Sequence, residues 1–465
     1  KNFNMKYKVS SFNYISPCLD GTLRLYNSMN GMNSLLIVDR LLKDDVLSVL
    51  NGTLPVDVIP EYVKVALIHH GYLVPENKDE DYAVKIKMAE TVLDDKYLNL
   101  IIMPTEQCNF RCKYCYETFE KGKMTKEIQN SIIKYVQKNI LNYVGLSVVW
   151  FGGEPLLALD VVEYLSENFI KICKAGKRTY VSGMTTNGYN LTPDVFDKLY
   201  KLKILNYQIT LDGFRTQHDS QRVLANGGGT FDRIVNNLVQ IKNKKAFGTV
   251  FNIRTNFTKA IIENIDEYLD FYKQTFGNDP RFSFYVQQAG DWGGERVKDF
   301  SEELADSVYA SVLHKMKEHG ITLGRASHFS ELQGELNTCY AAKKNSLVIG
   351  SDGMVYKCTV HFDLPENQVG KLHKNGVMDL NENYMKWIMP FSEMDVECSN
   401  CYNRAGCYPM KCPYALIQYG RAYCPPMSGG NFKVFLECFD DSLFSHLSPE
   451  HMTDTRIVSL KGEVQ

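Results

Sequence analysis

Between residue 97 and about residue 320, two hydrophobic textures alternate along the chain. Short runs rich in Ile, Val, Leu and aromatic residues fall at 98–103, 146–151, 180–185, 207–211, 249–255 and 282–286. Longer stretches with apolar residues at helical spacing fill the gaps, at 126–141, 160–175, 193–202, 230–244, 262–276 and 302–318. The pattern predicts six strands alternating with helices: a parallel sheet with crossover helices, open or bent into a partial (β/α)6 barrel. Two helix starts carry local signals. Thr192-Pro193 offers a cap followed by proline at the first helical position, and Ser301-Glu302-Glu303 offers a cap and a first turn of acidic residues.

The flanks read differently. Residues 8–15 and 22–27 predict strands, 34–50 and 60–70 helices, and 71–74 a closing strand, followed by an acidic linker at 76–81. After about residue 330 the periodicity fades, and Gly, Pro, Asn and Cys punctuate the chain. The expected class is therefore α/β with three domains. These are a small winged-helix-like recognition domain at 1–85, the partial barrel at 95–325, and an irregular cysteine-bearing domain at 335–465. A length of 465 residues agrees with more than one core.

Charge changes the picture by exclusion. The net charge is −2 with both signs mixed along the chain, which gives no reason to expect a nucleic-acid partner. The longest apolar runs, such as 100–103 and 146–151, are too short to span a bilayer, and no export signal is read at the start. A cytoplasmic protein without membrane contact is the expectation. In that setting 13 cysteines, most of them clustered, point to metal ligation rather than disulfides.

The sharpest cluster is Cys108-Asn-Phe-Arg-Cys112-Lys-Tyr-Cys115, directly after the first predicted strand. In parallel α/β barrels the carboxyl ends of strands carry the chemistry. Three thiolates on one tight loop can ligate three irons of a four-iron cluster and leave the fourth open. A zinc knuckle on Cys112 and Cys115 is the plainer alternative, but structural zinc wants four ligands and no fourth is near.

This motif, with its lead-in Pro104-Thr105-Glu106-Gln107 and trailing Tyr116-Glu117, resembles the radical S-adenosylmethionine (SAM) superfamily, in particular its peptide-modifying members. The resemblance implies that the open iron binds the amine and carboxylate of SAM. It also implies a 5′-deoxyadenosyl radical that abstracts a substrate hydrogen, with Tyr114 lying against the adenine. Gly152-Gly153-Glu154-Pro155 after the second strand resembles the family's motif for the SAM amine. Paired glycines permit close backbone approach, and a carboxylate can receive an ammonium. Thr186-Asn187 ends the third strand, and Thr210 opens Thr210-Leu-Asp-Gly after the fourth; the family lines the ribose and carboxylate of SAM there. Arg222 is a candidate partner for that carboxylate, and Arg254 and Asn256 end the fifth strand.

Eight further cysteines form a second constellation: Cys339, Cys358, Cys398, Cys401, Cys407, Cys412, Cys424 and Cys438. They resemble the SPASM extension, which implies two auxiliary clusters and, with the SAM-binding one, three [4Fe-4S] clusters. By resemblance Cys339, Cys358 and Cys412 serve the first and Cys398, Cys401 and Cys407 the second. Cys424 and Cys438 complete the set. A zinc ribbon on Cys398, Cys401, Cys407 and Cys412 is the alternative. Cys18 and Cys173 are read as packing cysteines. The first 90 residues resemble leader-recognition modules of maturases of ribosomally made peptides; a structural cap is the alternative.

The expectation for function is a radical SAM maturase that cross-links a ribosomal precursor peptide with a leader, by a thioether or else a carbon–carbon or ether bond. An external flavodoxin- or ferredoxin-type donor would supply electrons. A sulfatase-type maturase making formylglycine is the alternative within the family. A non-catalytic iron–sulfur electron carrier is the alternative outside it.

Overall fold

The computed structural model describes residues 6–94, 96–288, 306–321, 338–388, 400–406, 412–420, 430–439 and 441–449. The chain divides into two compact units. One joins Lys1–Val92, His328–Cys339 and Phe391–Gln465; the other joins Leu93–Ser327 and Tyr340–Pro390. The boundaries expected at 85 and 335 place the first and last segments in separate domains, whereas by contact they fall in one unit.

In the first unit, β1 (Tyr7–Val9) pairs antiparallel with a later strand, and β2 (Asn13–Pro17), β3 (Leu23–Asn27) and β4 (Gly31–Val38) form an antiparallel sheet. Helices α1 (Lys43–Leu50) and α2 (Glu61–His69) follow, then β5 (Leu73–Pro75), the partner of β1, and α3 (Glu80–Leu93). Leu23, Leu25, Leu36 and Val38 from the sheet, Val46 and Val49 from α1 and Val63 and Leu67 from α2 close one core. Far along the chain, the strand Ser445–Leu447 adds parallel to β4 and contributes Leu447 to that core.

Three expectations fail here. The single strand expected at 8–15 is broken by a turn at Ser11-Phe12 into β1 and β2. Residues 34–50 are not one helix, because 34–38 complete β4 and only Lys43–Leu50 are helical. Residues 34–38 are all buried, and a continuous apolar run buried on both faces has no period that separates strand from helix. The acidic linker expected at 76–81 is cut short, because a helix already begins at Glu80. Glu80 is buried and accepts hydrogen bonds from Ser10 Oγ (2.5 Å), Ser11 N (3.0 Å) and Ser11 Oγ (3.1 Å), which pins α3 to the strand end after β1.

The second unit follows the predicted alternation. It runs β6 (Tyr97–Ile102), α4 (Lys126–Asn139), β7 (Gly145–Trp150), α5 (Leu159–Ala175), β8 (Thr179–Thr186), α6 (Pro193–Lys201), β9 (Ile204–Thr210), α7 (Arg215–Gln221), α8 (Phe231–Lys242), β10 (Val250–Phe257), α9 (Ile265–Thr275), β11 (Phe282–Gln288) and α10 (Asp306–Glu318). Strands β6 to β11 lie in sequence order and pair in parallel throughout. The crossover helices bury one stripe each, for example Ile234, Leu238 and Ile241 of α8. Thr192 caps α6 as expected, its side chain accepting from Val195 N, while Ser301 lies outside the described residues. Past β6 the sheet continues through β12 (Ser346–Ile349), parallel, and an antiparallel meander of β13 (Met354–Tyr356), β14 (Gln368–Leu372) and β15 (Met378–Leu380). These four strands went unread because runs of three to five residues are too short to show a period.

Candidate active site at the strand ends

The cysteine loop leaves β6 and is held by backbone on two sides. Arg111 N donates to Val223 O (2.9 Å), Lys113 N to Gln221 O (3.0 Å) and Ala225 N to Asn109 O (2.8 Å), so the segment after α7 serves as its backing strand. On the other side stand the glycines of β7's end. A Cβ on Gly152 would lie 2.4 Å from Thr105 O, and one on Gly153 would lie 2.4 Å from Glu106 O and 2.5 Å from Gln107 O. Gly152 also has φ +114°, where a side chain is strained. The close approach these glycines permit is therefore to the chain's own lead-in to the cysteines, tied further by Glu154 N donating to Gln107 O (2.9 Å).

Glu154 is fully buried. Its Oε1 accepts from Leu156 N (3.0 Å) and Thr186 Oγ1 (2.7 Å), and its Oε2 from Asn187 N (2.7 Å). Burial pushes its pKa up, against the pull of these three donors. Asn187 Nδ2 donates to Asn109 Oδ1 (2.9 Å), which links the end of β8 to the cysteine loop. Glu154, Thr186 and Asn187 thus meet beside Cys108, while Thr210 ends β9.

Around Tyr114 lies a second network. Its hydroxyl donates to Asp212 Oδ2 and accepts from Arg222 Nη1 and from Asn256 Nδ2 (3.1 Å). Asp212 Oδ1 accepts Asn256 N (2.7 Å), and Arg222 lies 3.8 Å from the same carboxylate. Arg254 Nε donates to Asn256 Oδ1 (3.0 Å). Asp212 and Asn256 are central here, although the sequence offered only an Asp-Gly turn and a strand end. Glu117, two residues past Cys115, is also buried, and burial together with Glu106 pushes its pKa up to about 8.

Burial, the largest cause, pushes Cys108 and Cys115 up to about 12, helped by Glu154 beside Cys108 and by Cys112 beside Cys115. Among the described residues no three Cys, His, Asp or Glu groups converge as on a single ion. A cluster that offers one iron to each cysteine holds its sulfurs farther apart than one ion does, and its charge is what turns thiols into thiolates. The site also contains a buried donor without a partner among the described residues, Arg222 Nε, on a side chain only 9% exposed. An orphaned guanidinium N–H fits an anionic group such as a carboxylate. The residues present therefore fit a cluster and SAM.

The Radical SAM superfamily matches residues 102–272. This chain is a radical SAM enzyme. Among curated proteins it is similar to a cysteine-type anaerobic sulfatase-maturating enzyme of Clostridium novyi (strain NT). The two are 28% identical over 351 residues, covering 68% of this chain and 90% of the relative. It is also similar to the radical SAM cyclopropyl synthase TigE of Paramaledivibacter caminithermalis, 25% identical over 289 residues, 54% of this chain and 58% of that one. Among solved structures, anSMEcpe with bound AdoMet and the Cp18Cys peptide shares the fold with a TM-score of 0.57 at 20% identity, over 79% of this chain and 100% of that one. As a radical SAM enzyme the chain uses a [4Fe-4S] cluster and SAM.

Of the C-terminal cysteines, Cys398, Cys407 and Cys424 lie outside the described residues. Cys339 and Cys412 meet: a thiol–thiol hydrogen bond pulls Cys412 down to about 7. Cys358 follows β13, and its loop is held by fully buried Asn367. That side chain accepts from Lys357 N (3.0 Å) and Cys358 N (2.8 Å) and donates to Cys358 O and His361 O, both 2.9 Å. No sequence signal marked Asn367. Cys108, Cys358 and Cys401 share a local feature, a sulfur that accepts the N–H two residues on, at 3.3, 3.4 and 3.4 Å. Such bonds are the kind that tune iron–sulfur clusters. Cys173 is a buried packing residue, but Cys18 is half-exposed at the β2–β3 turn rather than enclosed by apolar neighbours. Among the described residues no helix is long and apolar enough to cross a membrane.

Proposed function

We propose that this radical SAM enzyme matures a ribosomally made precursor peptide, holding its leader on the N-terminal module and forming a cross-link, a thioether first among the possible bonds. Bound together, the cluster and SAM supply a 5′-deoxyadenosyl radical that takes a hydrogen atom from the substrate. Cys108, Cys112 and Cys115 hold the cluster, Arg222 receives the SAM carboxylate, Tyr114 meets the adenine, and Gly152, Gly153, Glu154, Thr186, Asn187 and Thr210 shape the cradle. Cys339, Cys358, Cys398, Cys401, Cys407, Cys412, Cys424 and Cys438 would hold two auxiliary clusters, for three in all, which would supply an acceptor for the electron that closure releases.

The observation that carries the reading is the surplus over anSMEcpe. All of that chain is matched by 79% of this one, so about a fifth of this chain has no counterpart there. The N-terminal module has features suited to an extended peptide. β3 is paired on both sides, while among the described residues β2 ends the sheet. The bonded pair Cys18–Thr22 sets the ladder so that residues 14 and 16 face β3 and the N–H of Ile15 faces outward. The unit also holds a cavity of about 310 Å3 lined by Tyr7, Met29, Ile68, Leu73, Lys78 and Glu80. A free edge and a side-chain pocket are what strand addition uses.

Because residues 1–92 share cores with Ala405 and Leu447, the test keeps the full chain. Ile15→Pro removes one outward donor without touching the β2–β3 ladder. Leader-bearing precursor should bind roughly tenfold more weakly, with SAM cleavage in its absence unchanged. Unchanged precursor binding removes the leader reading. The second reading, formylglycine formation, is favoured by the name and coverage of the Clostridium relative. Mass spectrometry of the product separates them: a thioether costs the peptide two hydrogens and keeps the sulfur, whereas formylglycine made from cysteine loses two hydrogens and also exchanges sulfur for oxygen.

A further inference from the structure

Arg222 stands where α7 ends, and its backbone is held at both its N–H and its carbonyl. Its N–H donates to His218 O (2.8 Å), and its carbonyl accepts from Thr230 Oγ1 (2.6 Å). Thr230 Oγ1 lies 3.0 Å from His218 Nε2, and His218 Nδ1 lies 3.1 Å from Asp212 N. These contacts admit one proton arrangement. The Asp212 N–H must donate, so Nδ1 is bare and Nε2 carries the hydrogen; Thr230 accepts that hydrogen and passes its own to the Arg222 carbonyl. The wire runs from the end of β9 through a neutral imidazole and a hydroxyl to the backbone of Arg222. Burial, with Arg222 nearby, holds the His218 pKa well below its usual value, as the wire requires. His218 and Thr230 are 0% and 1% exposed, so water cannot stand in for either. Thr230 is itself fixed, since Asp219 Oδ1 accepts both Thr230 N (2.7 Å) and Phe231 N (2.9 Å) at the start of α8. Asp212 is thus used twice: its backbone anchors the wire, and its carboxylate meets Tyr114, the residue that Arg222 Nη1 also reaches.

We infer that His218 and Thr230 are positioning residues that aim Arg222 at the SAM carboxylate, an assignment that rests on the reading of Arg222 as a SAM ligand. A histidine that only filled the core would need its ring satisfied, but not through a hydroxyl that ends on the carbonyl of that arginine.

The test uses reconstituted full-length enzyme, with SAM affinity from equilibrium binding, iron content, and the change in the electron paramagnetic resonance spectrum of the reduced cluster as SAM is added. Thr230→Val keeps the shape and removes the hydroxyl; SAM affinity should fall roughly tenfold at unchanged iron content. Thr230→Ser, which restores the hydroxyl, should restore affinity to within about twofold. His218→Asn keeps an acceptor for Asp212 but cannot reach Thr230, and should weaken SAM as Thr230→Val does. In both weakened variants the spectral change should reappear at saturating SAM. Native SAM affinity in Thr230→Val and His218→Asn overturns the inference, as does a Thr230→Ser variant as weak as Thr230→Val. Arg222→Ala separates the two levels. If it binds SAM normally, the reading of Arg222 fails; if it loses SAM while Thr230→Val does not, only the positioning role fails.

Discussion

The cysteine loop after β6 and the cysteines toward the C terminus, both proposed above as cluster ligands, stand on different kinds of support. Around the first, parallel strand ends supply the parts: Glu154 from β7, Thr186 and Asn187 from β8, Asp212 past β9 and Asn256 from β10. These groups bond one another without help from a metal. Around the second, Cys412 caps a seven-residue helix, and Cys401 sits in turns. Cys358, by contrast, follows β13 of the large sheet, where the Asn367 clamp fixes its loop. A site built on a sheet takes its shape from the fold, while one built on turns relies on the bound group for part of its folding free energy.

Removing iron tests that contrast most severely. Chelation should leave amide-exchange protection across 97–288 nearly intact and lower it sharply across 400–439; equal loss in both would erase the distinction. Ala at Cys108, Cys112 and Cys115 together should abolish reductive SAM cleavage and reduce iron from about twelve to about eight per chain, the sheet staying folded. Retained 5′-deoxyadenosine production would refute the cluster assignment, and roughly four irons with zinc in the native protein would refute the auxiliary clusters. Glu154→Gln comes next. Three donors converge on two oxygens, so an amide in either orientation sets its NH2 against a backbone N–H. SAM affinity should fall about ten- to a hundredfold, and stability by about 1–3 kcal/mol, in calorimetry and equilibrium binding. Asn367→Ala should cost a similar 1–3 kcal/mol but act on the Cys358 side, lowering iron by about four while SAM still binds. The smallest effect is one of pH. His218 is held neutral in the fold but titrates near 6.5 when unfolded, so the unfolded chain binds the extra proton and stability falls as pH drops below about 6.5. His218→Gln should remove about one proton's worth of that slope in denaturant titrations.

The alternating textures were enough to read six of the seven parallel strands described in the large sheet and the long crossover helices between them, because long amphipathic segments advertise their buried face. The cysteine spacing and the motifs at successive strand ends were legible for a related reason: a parallel sheet places every strand's carboxyl end at one edge. The sequence could not show that residues 34–38 are a strand, since full burial erases their period, or that 1–92 and 391–465 fold as one unit, since the pairing of β4 with Ser445–Leu447 joins residues about four hundred positions apart. Nor could it show that Gly152 and Gly153 make room for the chain's own backbone, or that Asp212, His218, Thr230, Asn256 and Asn367 are tied by hydrogen bonds into the surroundings of Tyr114, Arg222 and Cys358. A hydrogen bond between side chain and distant backbone leaves no trace in spacing or composition; only the folded chain decides which donor meets which acceptor.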